Sequence, residues 1–214
     1  TSFMSTASPT SNQTTEILSI NTIQEDTYQT NVQISNLATL APQNSSAAEA
    51  ALQLLQKLPH PDTVTYNGVL KAFAKSPSLK GAQKAQDLLE KMEREHYQQK
   101  AVKEQNDDFP VSITPNVRTY STVMDAWSRR SGKVPNAAEH ANEILEKLES
   151  LYEETGDSNF QPNTISYNTV IAAYAKDGGQ ANEALALLKK MGPLADVISY
   201  NAVLLAFARS GLPD

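Results

Sequence analysis

The chain has 214 residues, 40 % of them apolar, and a formal net charge of -6. That is enough apolar material for a sizeable core, no stretch approaches the roughly eighteen apolar residues of a membrane-spanning helix, and the acidic balance has the wrong sign for a generic nucleic-acid or anionic-membrane binder. With no cysteine in the sequence, disulfides, thiolate metal sites, iron–sulfur clusters and thiol nucleophiles are all excluded.

Residues 1 to 16, TSFMSTASPTSNQTTE, are mostly Ser, Thr, Asn and Gln, a composition that cannot offset ordering entropy by burial, and they read as a disordered tail. Residues 17 to 41 carry aliphatics at mixed spacing (Ile17, Leu18, Ile20, Ile23, Val32, Ile34, Leu37, Leu40), helix-like in places and alternating in others. Residues 1–45 are therefore expected to form a disordered or weakly ordered N-terminal segment. No Lys or Arg precedes Lys57, which argues against an intact secretory signal or an Arg-rich organellar presequence within these residues. The start at Thr1 and the end at Asp214, amid turn formers, read as a piece of a longer protein, with any targeting peptide upstream.

From residue 46 onward one segment recurs four times: TYNGVLKAFAKS from Thr65, TYSTVMDAWSRR from Thr119, SYNTVIAAYAKD from Ser166 and SYNAVLLAFARS from Ser199. Aligned on Tyr66, Tyr120, Tyr167 and Tyr200, the copies share Val69, Val123, Val170 and Val203 three residues on. Leu70, Met124, Ile171 and Leu204 follow at four, and Phe73, Trp127, Tyr174 and Phe207 at seven. Those offsets form one apolar helix face. Ala72, Ala126, Ala173 and Ala206 stand at six, small enough for a neighbouring helix to approach, and Lys75, Arg129, Lys176 and Arg209 at nine.

Breaker clusters follow each of these helices, and the first three copies then enter a second amphipathic run: AQKAQDLLEKMERE, AEHANEILEKLESL and ANEALALLKKM. The upstream AAEAALQLLQKL matches the second runs without a clear first helix before it. The unit is a helix–turn–helix, and because one such unit cannot bury its own apolar face, neighbours must stack into an array. Residues 46–214 thus predict an all-α solenoid of about three and a half repeats, expected to continue downstream, since Tyr200, Val203, Leu204 and Phe207 would otherwise face water. Successive tyrosines are 54, 47 and 33 residues apart, and the excess falls after the second helices, at the hairpin edge.

The Tyr-Asn or Tyr-Ser start of the first helix, the Gly-containing turn, the second-helix pattern of Glu183, Ala184, Leu187, Leu188 and Met191, and an Asp or Asn before the next unit resemble pentatricopeptide repeats. The resemblance covers about residues 46 to 214. It implies sequence-selective binding of single-stranded RNA, one base per repeat, in organellar RNA processing, stability or translation, in a mitochondrion or chloroplast. It implies no cofactor and no enzymatic step in these residues; other RNA-processing proteins are candidate further partners, no membrane is implied, and the oligomeric state stays open. In the family a base is read by the residue after the tyrosine and by the last residue of the repeat. The first positions here are Asn67, Ser121, Asn168 and Asn201, the last are Asn116, Asn163 and Asp196, and Asp62 closes the preceding partial repeat. Three complete pairs follow, Asn67 with Asn116, Ser121 with Asn163 and Asn168 with Asp196, implying a pyrimidine leaning to C, then A, then U, read 5′ to 3′ along the chain. Asn offers donor and acceptor, Ser a hydroxyl, and ionised Asp only accepts, so each pair presents a different pattern to an unpaired base. The side chains that sandwich bases in the family correspond to Val64, Arg118, Ile165 and Ile198; Arg118 departs from the aliphatic pattern and offers a guanidinium to a base or a phosphate.

Other readings attach to the same residues. Asp62, Asn116, Asn163 and Asp196 each stand just before a helix, where Asp and Asn are favoured caps. The tyrosines and Trp127 could be stacking platforms, but their periodicity with the valines points to core. The first-helix segments carry eight cations (Lys71, Lys75, Arg118, Arg129, Arg130, Lys133, Lys176, Arg209) against Asp125 and Asp177, a net +6, whereas residues 135 to 157 are acidic. A basic inner face and an acidic outer face suit RNA in a groove. His60, His96 and His140 are scattered, with no HExxH motif, nucleophile elbow or phosphate-binding Gly loop. The contending class is a tetratricopeptide-type protein scaffold, which would bind a peptide and need no registered Asn or Asp columns.

Overall fold

A computed structural model describes residues 11–107, 110–178 and 180–211. These form α1 (Ser11–Leu40), α2 (Ala47–Lys57), α3 (Thr63–Lys75), α4 (Gly81–Gln105), α5 (Val117–Ser128), α6 (Ala137–Thr155), α7 (Thr164–Asp177), α8 (Ala181–Met191) and α9 (Val197–Arg209), with short 3₁₀ turns at Ser158–Phe160 and Gly192–Leu194. The odd-numbered helices pack on one another in sequence, α1 on α3, α3 on α5, α5 on α7 and α7 on α9. Each even-numbered helix packs between the odd helix before it and the one after it. This is the expected all-α solenoid of helical hairpins. Among the described residues no helix is long and apolar enough to cross a membrane.

Each odd helix from α3 on starts in the same way. Asp62, Asn116, Asn163 and Asp196 have extended backbones, and their side-chain oxygens accept from the backbone N–H of Thr65, Thr119, Ser166 and Ser199; those hydroxyl groups bond back to the cap. The hydroxyl replaces the Glu or Gln of the usual reciprocal box, closing two orphan groups with a shorter side chain. Behind the cap the repeated columns bury as the periodicity demands: Tyr66, Tyr120, Val69, Val123, Val170, Ala72, Ala126 and Ala173 all lie in one continuous core. Trp127 is buried too, its indole N–H bonded to Gln86 Oε1 at 2.9 Å.

The N-terminal segment differs from expectation. The expectation for residues 1–10 lies outside the described residues, but residues 11–40, read as tail and as ambiguous, form α1, and Ile34, Ala38 and Ala41 near its end belong to the same core as the repeats. It is the first helix missing before α2. Its contact with α3 is close: a Cβ on Gly68 would sit 2.6 Å from Ile34 Cγ2, so glycine lets the two helices meet. The boundary at residue 45 therefore cuts through a hairpin.

The insertion after α4 is tied down rather than looped out. Gln99 Oε1 accepts from the backbone N–H of Ser112 and Ile113 at 3.0 and 3.1 Å, His96 Nδ1 lies 2.7 Å from Ile113 O, and Ile113 is buried. Thr114 N donates to Thr63 Oγ1 at 2.8 Å, returning the chain beside α3 in time for the Asn116 cap. After α6, Gly156 caps with φ 64° and Phe160 packs edge-on against Tyr120, ring centroids 6.2 Å apart. At the far end Tyr200 (57 % exposed), Leu204 and Leu205 of α9 face outward, as no later helix among the described residues covers them.

Candidate nucleic-acid interface

The caps and the residues after the tyrosines converge at one end of the odd-helix layer. Asn168 Nδ2 donates to Asp196 Oδ1 at 3.1 Å, and Asn168 Oδ1 accepts from Ser199 Oγ at 2.6 Å. Asp196 is held below the usual carboxylate range by the Ser199 backbone N–H, the Ser199 hydroxyl and the Asn168 amide, so it is an ionised acceptor. Ser121 Oγ lies 3.2 Å from Ser166 Oγ, the box partner of Asn163. Asn67 Oδ1 is buried with no hydrogen-bond partner, and Asn201 is exposed on α9.

A cavity of about 520 Å³ assembles one complete set of these side chains: Arg118 and Ile165, Ser121 and Asn163, with Lys71 and Lys75 beside them. A smaller cavity of about 200 Å³ holds Asn67 with Val64 and Arg118, and Asn116 is not among its lining residues. The structure therefore brings Ser121 and Asn163 into one cavity and hydrogen-bonds Asn168 to Asp196. Val64, Ile165 and Ile198 are 62 %, 67 % and 65 % exposed, apolar groups held out at the start of successive odd helices. Arg118 shares their exposure, and among the described residues its guanidinium has no ion pair or hydrogen bond.

All four last-position residues are helix caps, so capping is realised at every one. In each case one side-chain oxygen serves the cap, leaving Nδ2 of Asn116 and Asn163, or the second oxygen of Asp62 and Asp196, to other partners.

The count of free cations shrinks in the fold. Arg130 is buried and spends its guanidinium on the carbonyls of Phe73, Ala74, Ser76, Ser78 and Ala126 at 2.6–3.4 Å. Gly81 makes room for it, since a Cβ there would meet both that guanidinium and Phe73 O. Lys176 Nζ donates to Ser128 O at 3.0 Å and Arg209 Nη1 to Ala175 O at 3.2 Å, each bonding carbonyls at the end of the preceding odd helix. Burial lowers the Lys176 pKa. Arg129 pairs with Asp125 at 2.7 Å. Among the described residues Lys71, Lys75, Arg118 and Lys133 keep side chains without a partner, and the first three of them line the 520 Å³ cavity.

A second network was not anticipated from the sequence. Tyr120 OH donates to Glu93 Oε1 at 2.7 Å while Lys147 Nζ donates to Oε2 at 2.6 Å; Tyr167, Glu149 and Lys190 repeat this at 2.7 and 2.6 Å. Burial and these carboxylates push the phenol pKa values of Tyr120 and Tyr167 well up. Tyr66 uses Glu95 at 2.6 Å instead, because Pro59 occupies the position on the preceding hairpin. A readable signal existed: Lys57, Lys91, Lys147 and Lys190 each stand one residue before the late apolar column, and Glu93 and Glu149 one after it.

An all-α solenoid of capped hairpins, with exposed aliphatic side chains flanking Asn, Ser and Asp pairs along one end of its odd helices, defines a modular helical-repeat protein. The family model of the pentatricopeptide repeat domain matches residues 150–210. A pentatricopeptide repeat-containing protein of Arabidopsis thaliana is 24 % identical over 145 residues, 68 % of this chain and 20 % of its own length. The chain thus spans about a fifth of the curated relative that it matches. No solved structure matches the chain. In sequence the chain is thus similar to pentatricopeptide repeat proteins over these residues.

Proposed function

We propose that the array binds single-stranded RNA in a sequence-selective manner along the odd-helix end, and acts by occupancy: masking a site, blocking a nuclease or exposing a flanking segment. The observation that carries this reading is the 520 Å³ cavity in which Arg118, Ile165, Ser121 and Asn163 meet beside Lys71 and Lys75. Two flanking side chains, a polar pair and two unpaired cations are what an unpaired nucleotide asks for: faces to stack on, an edge to hydrogen-bond and a phosphate to neutralise. In this reading Ser121 with Asn163 selects A, Asn168 with Asp196 selects U, and Asn67 with Asn116 a pyrimidine before them. The similarity to pentatricopeptide repeat proteins supports an organellar role in RNA processing, stability or translation, with RNA-processing proteins as further partners.

Selection of random single-stranded RNA by the purified protein at about 0.15 M salt tests this, repeated with Asn168→Ser and Asp196→Ser, which keep the capping oxygen of Asp196. The expected result is a pyrimidine-A-U core whose last position loses preference in the variants. Binding with no preference, or no binding above a duplex control, would favour the peptide-binding scaffold.

A further inference from the structure

Two cavities of the odd-helix layer share a wall. Lys71, Arg118 and Thr122 line both the cavity of about 200 Å³ that holds Asn67 and the one of about 520 Å³ that holds Ser121 and Asn163. The Thr122 hydroxyl donates to Arg118 O at 2.8 Å, so the donors this wall has to offer are the Lys71 ammonium and the Arg118 guanidinium. Both side chains are exposed and, among the described residues, without a partner. Asp125 brings a carboxylate to the larger cavity, but it is paired with Arg129 at 2.7 Å.

Among the described residues no later junction repeats this arrangement. Five residues after the tyrosine, the place of Lys71 is taken by Asp125, Ala172 and Leu205. Two residues before it, Arg118 stands in a column of Val64, Ile165 and Ile198. Nine residues after it, Lys75 is without a partner and lines the larger cavity, whereas Arg129 is paired with Asp125, and Lys176 and Arg209 bond carbonyls. Uncommitted positive charge from these columns is thus concentrated where α3 meets α5.

Resting on the RNA-binding reading, we infer that the shared wall is a phosphodiester-binding site that anchors the RNA backbone to the array, with Lys71 and Arg118 together holding the linkage between the nucleotide at Asn67 and the nucleotide at Ser121 and Asn163. Nucleotides seated in adjacent cavities are joined through a phosphate that has to cross what separates them. Its non-bridging oxygens carry the charge that an ammonium and a planar guanidinium fit. The methylene stem of Arg118 flanks the base while its guanidinium reaches the phosphate. Such a contact carries no base preference; it fixes which linkage is held, and so the register in which the polar pairs meet the bases.

The test uses the full chain and labelled RNA oligonucleotides with the pyrimidine-A-U core, in which one linkage at a time is an uncharged methylphosphonate, titrated by fluorescence anisotropy. Matched controls carry the same neighbouring 2′-O-methyl group on an ordinary phosphate. Neutralising the pyrimidine–A linkage should weaken binding about tenfold, as expected for the loss of a charge-assisted contact, and neutralising the A–U linkage should cost much less. In the Lys71→Gln, Arg118→Gln double variant the two linkages should become equivalent, at a melting temperature close to the parent's because neither side chain has a partner to lose. Arg118→Lys, which keeps the charge, should keep the difference. Equal losses at the two linkages in the parent, or a pyrimidine–A loss that the double variant leaves intact, would overturn the anchor. In either case binding of the unmodified oligonucleotide with its core preference leaves the RNA reading standing; failure of the parent to bind the unmodified oligonucleotide overturns both.

Discussion

Asn168 and Asp196 are hydrogen-bonded to each other at 3.1 Å, and both are bonded to Ser199, the third residue of the next odd helix. The end of one repeat is thereby fixed against its own start through the cap of its successor. In the RNA-binding reading proposed above, groups held in this orientation leave less ordering entropy to oppose the binding of a base.

That arrangement predicts the titration of Asp196. Because the Ser199 N–H, the Ser199 hydroxyl and the Asn168 amide hold its pKa below the usual carboxylate value, its contribution to stability is complete above the ordinary Asp range, about 3.9, and fades as pH falls through the lowered value. Carboxyl ¹³C chemical shifts should show Asp196 titrating below other exposed aspartates, and Ser199→Ala should bring it back up. An ordinary titration midpoint in the parent would show that the contacts are not made in solution.

Capping and base reading separate by substitution. Asn163→Ala should lower stability by about 1 kcal/mol, whereas Asn163→Asp and Asn163→Ser, which keep an oxygen for Ser166 N, should cost a few tenths. Thermal melts give the first comparison, and RNA selection with the Asp variant should change the base chosen beside Ser121. A common melting temperature for the Ala and Asp variants would remove the cap from the account.

Arg130 should behave as a core residue. Truncation to Ala strands the carbonyls of Phe73, Ser76 and Ser78 near the α3–α4 turn and should cost about 3 kcal/mol. Lys should not rescue it, since a single ammonium cannot reach the fan of acceptors that a planar guanidinium serves. Denaturant unfolding of the three proteins decides this, and a Lys variant equal to the parent would contradict it.

The buried Tyr–Glu–Lys groups predict a pH response of the opposite sense. Burial and Glu93 raise the Tyr120 pKa, so its contribution is fully present below the ordinary phenol value near 10 and is lost as pH rises above it. Phenolate absorbance from Tyr120 and Tyr167 should appear only with unfolding. Tyr120→Phe should cost about 2 kcal/mol by leaving Glu93 with Lys147 alone. Tyr66→Phe should cost less, because Glu95 is more exposed.

Free and committed cations should divide in a salt titration. Lys71→Gln and Lys75→Gln should each reduce the slope of log affinity against log salt by about 0.7, the single-strand value per phosphate contact. Lys176→Gln and Arg209→Gln should lower stability and leave the slope unchanged, because those side chains bond carbonyls of the preceding helix. Equal slopes for all four would erase the distinction.

Helices α2 to α9 were legible because their apolar columns recur in register, and the caps because Asp or Asn stands at every odd-helix start from α3 on. α1 was not, and the reason is its place at the edge of the layer. Its buried residues Ile34, Ala38 and Ala41 hold to the core, but Thr30 and Gln33 stand in place of the Tyr and Val on which the alignment rests. The residues of the base-reading columns could be named from the sequence, but not which of them touch. Ser121 and Asn163 line one cavity, whereas Asn116 is absent from the cavity that Asn67 lines. Charge was the least legible property: Arg130, Lys176 and Arg209 look like surface cations in a count and are structural ties in space.

Glu93 finds its partners on α5 and α6, and Glu149 on α7 and α8. Each carboxylate leaves the ribosome before either of the groups that neutralise it, and waits through two further helices. The piece that closes its own charges is thus a run of three helices, staggered against the hairpin and overlapping the next run by one. Neither the cut after α4 nor the cut after α6 is clean: a fragment ending after α6 keeps Glu149 and loses Tyr167 and Lys190 together. A grafted or transplanted repeat would have to bring the borders of its neighbours with it.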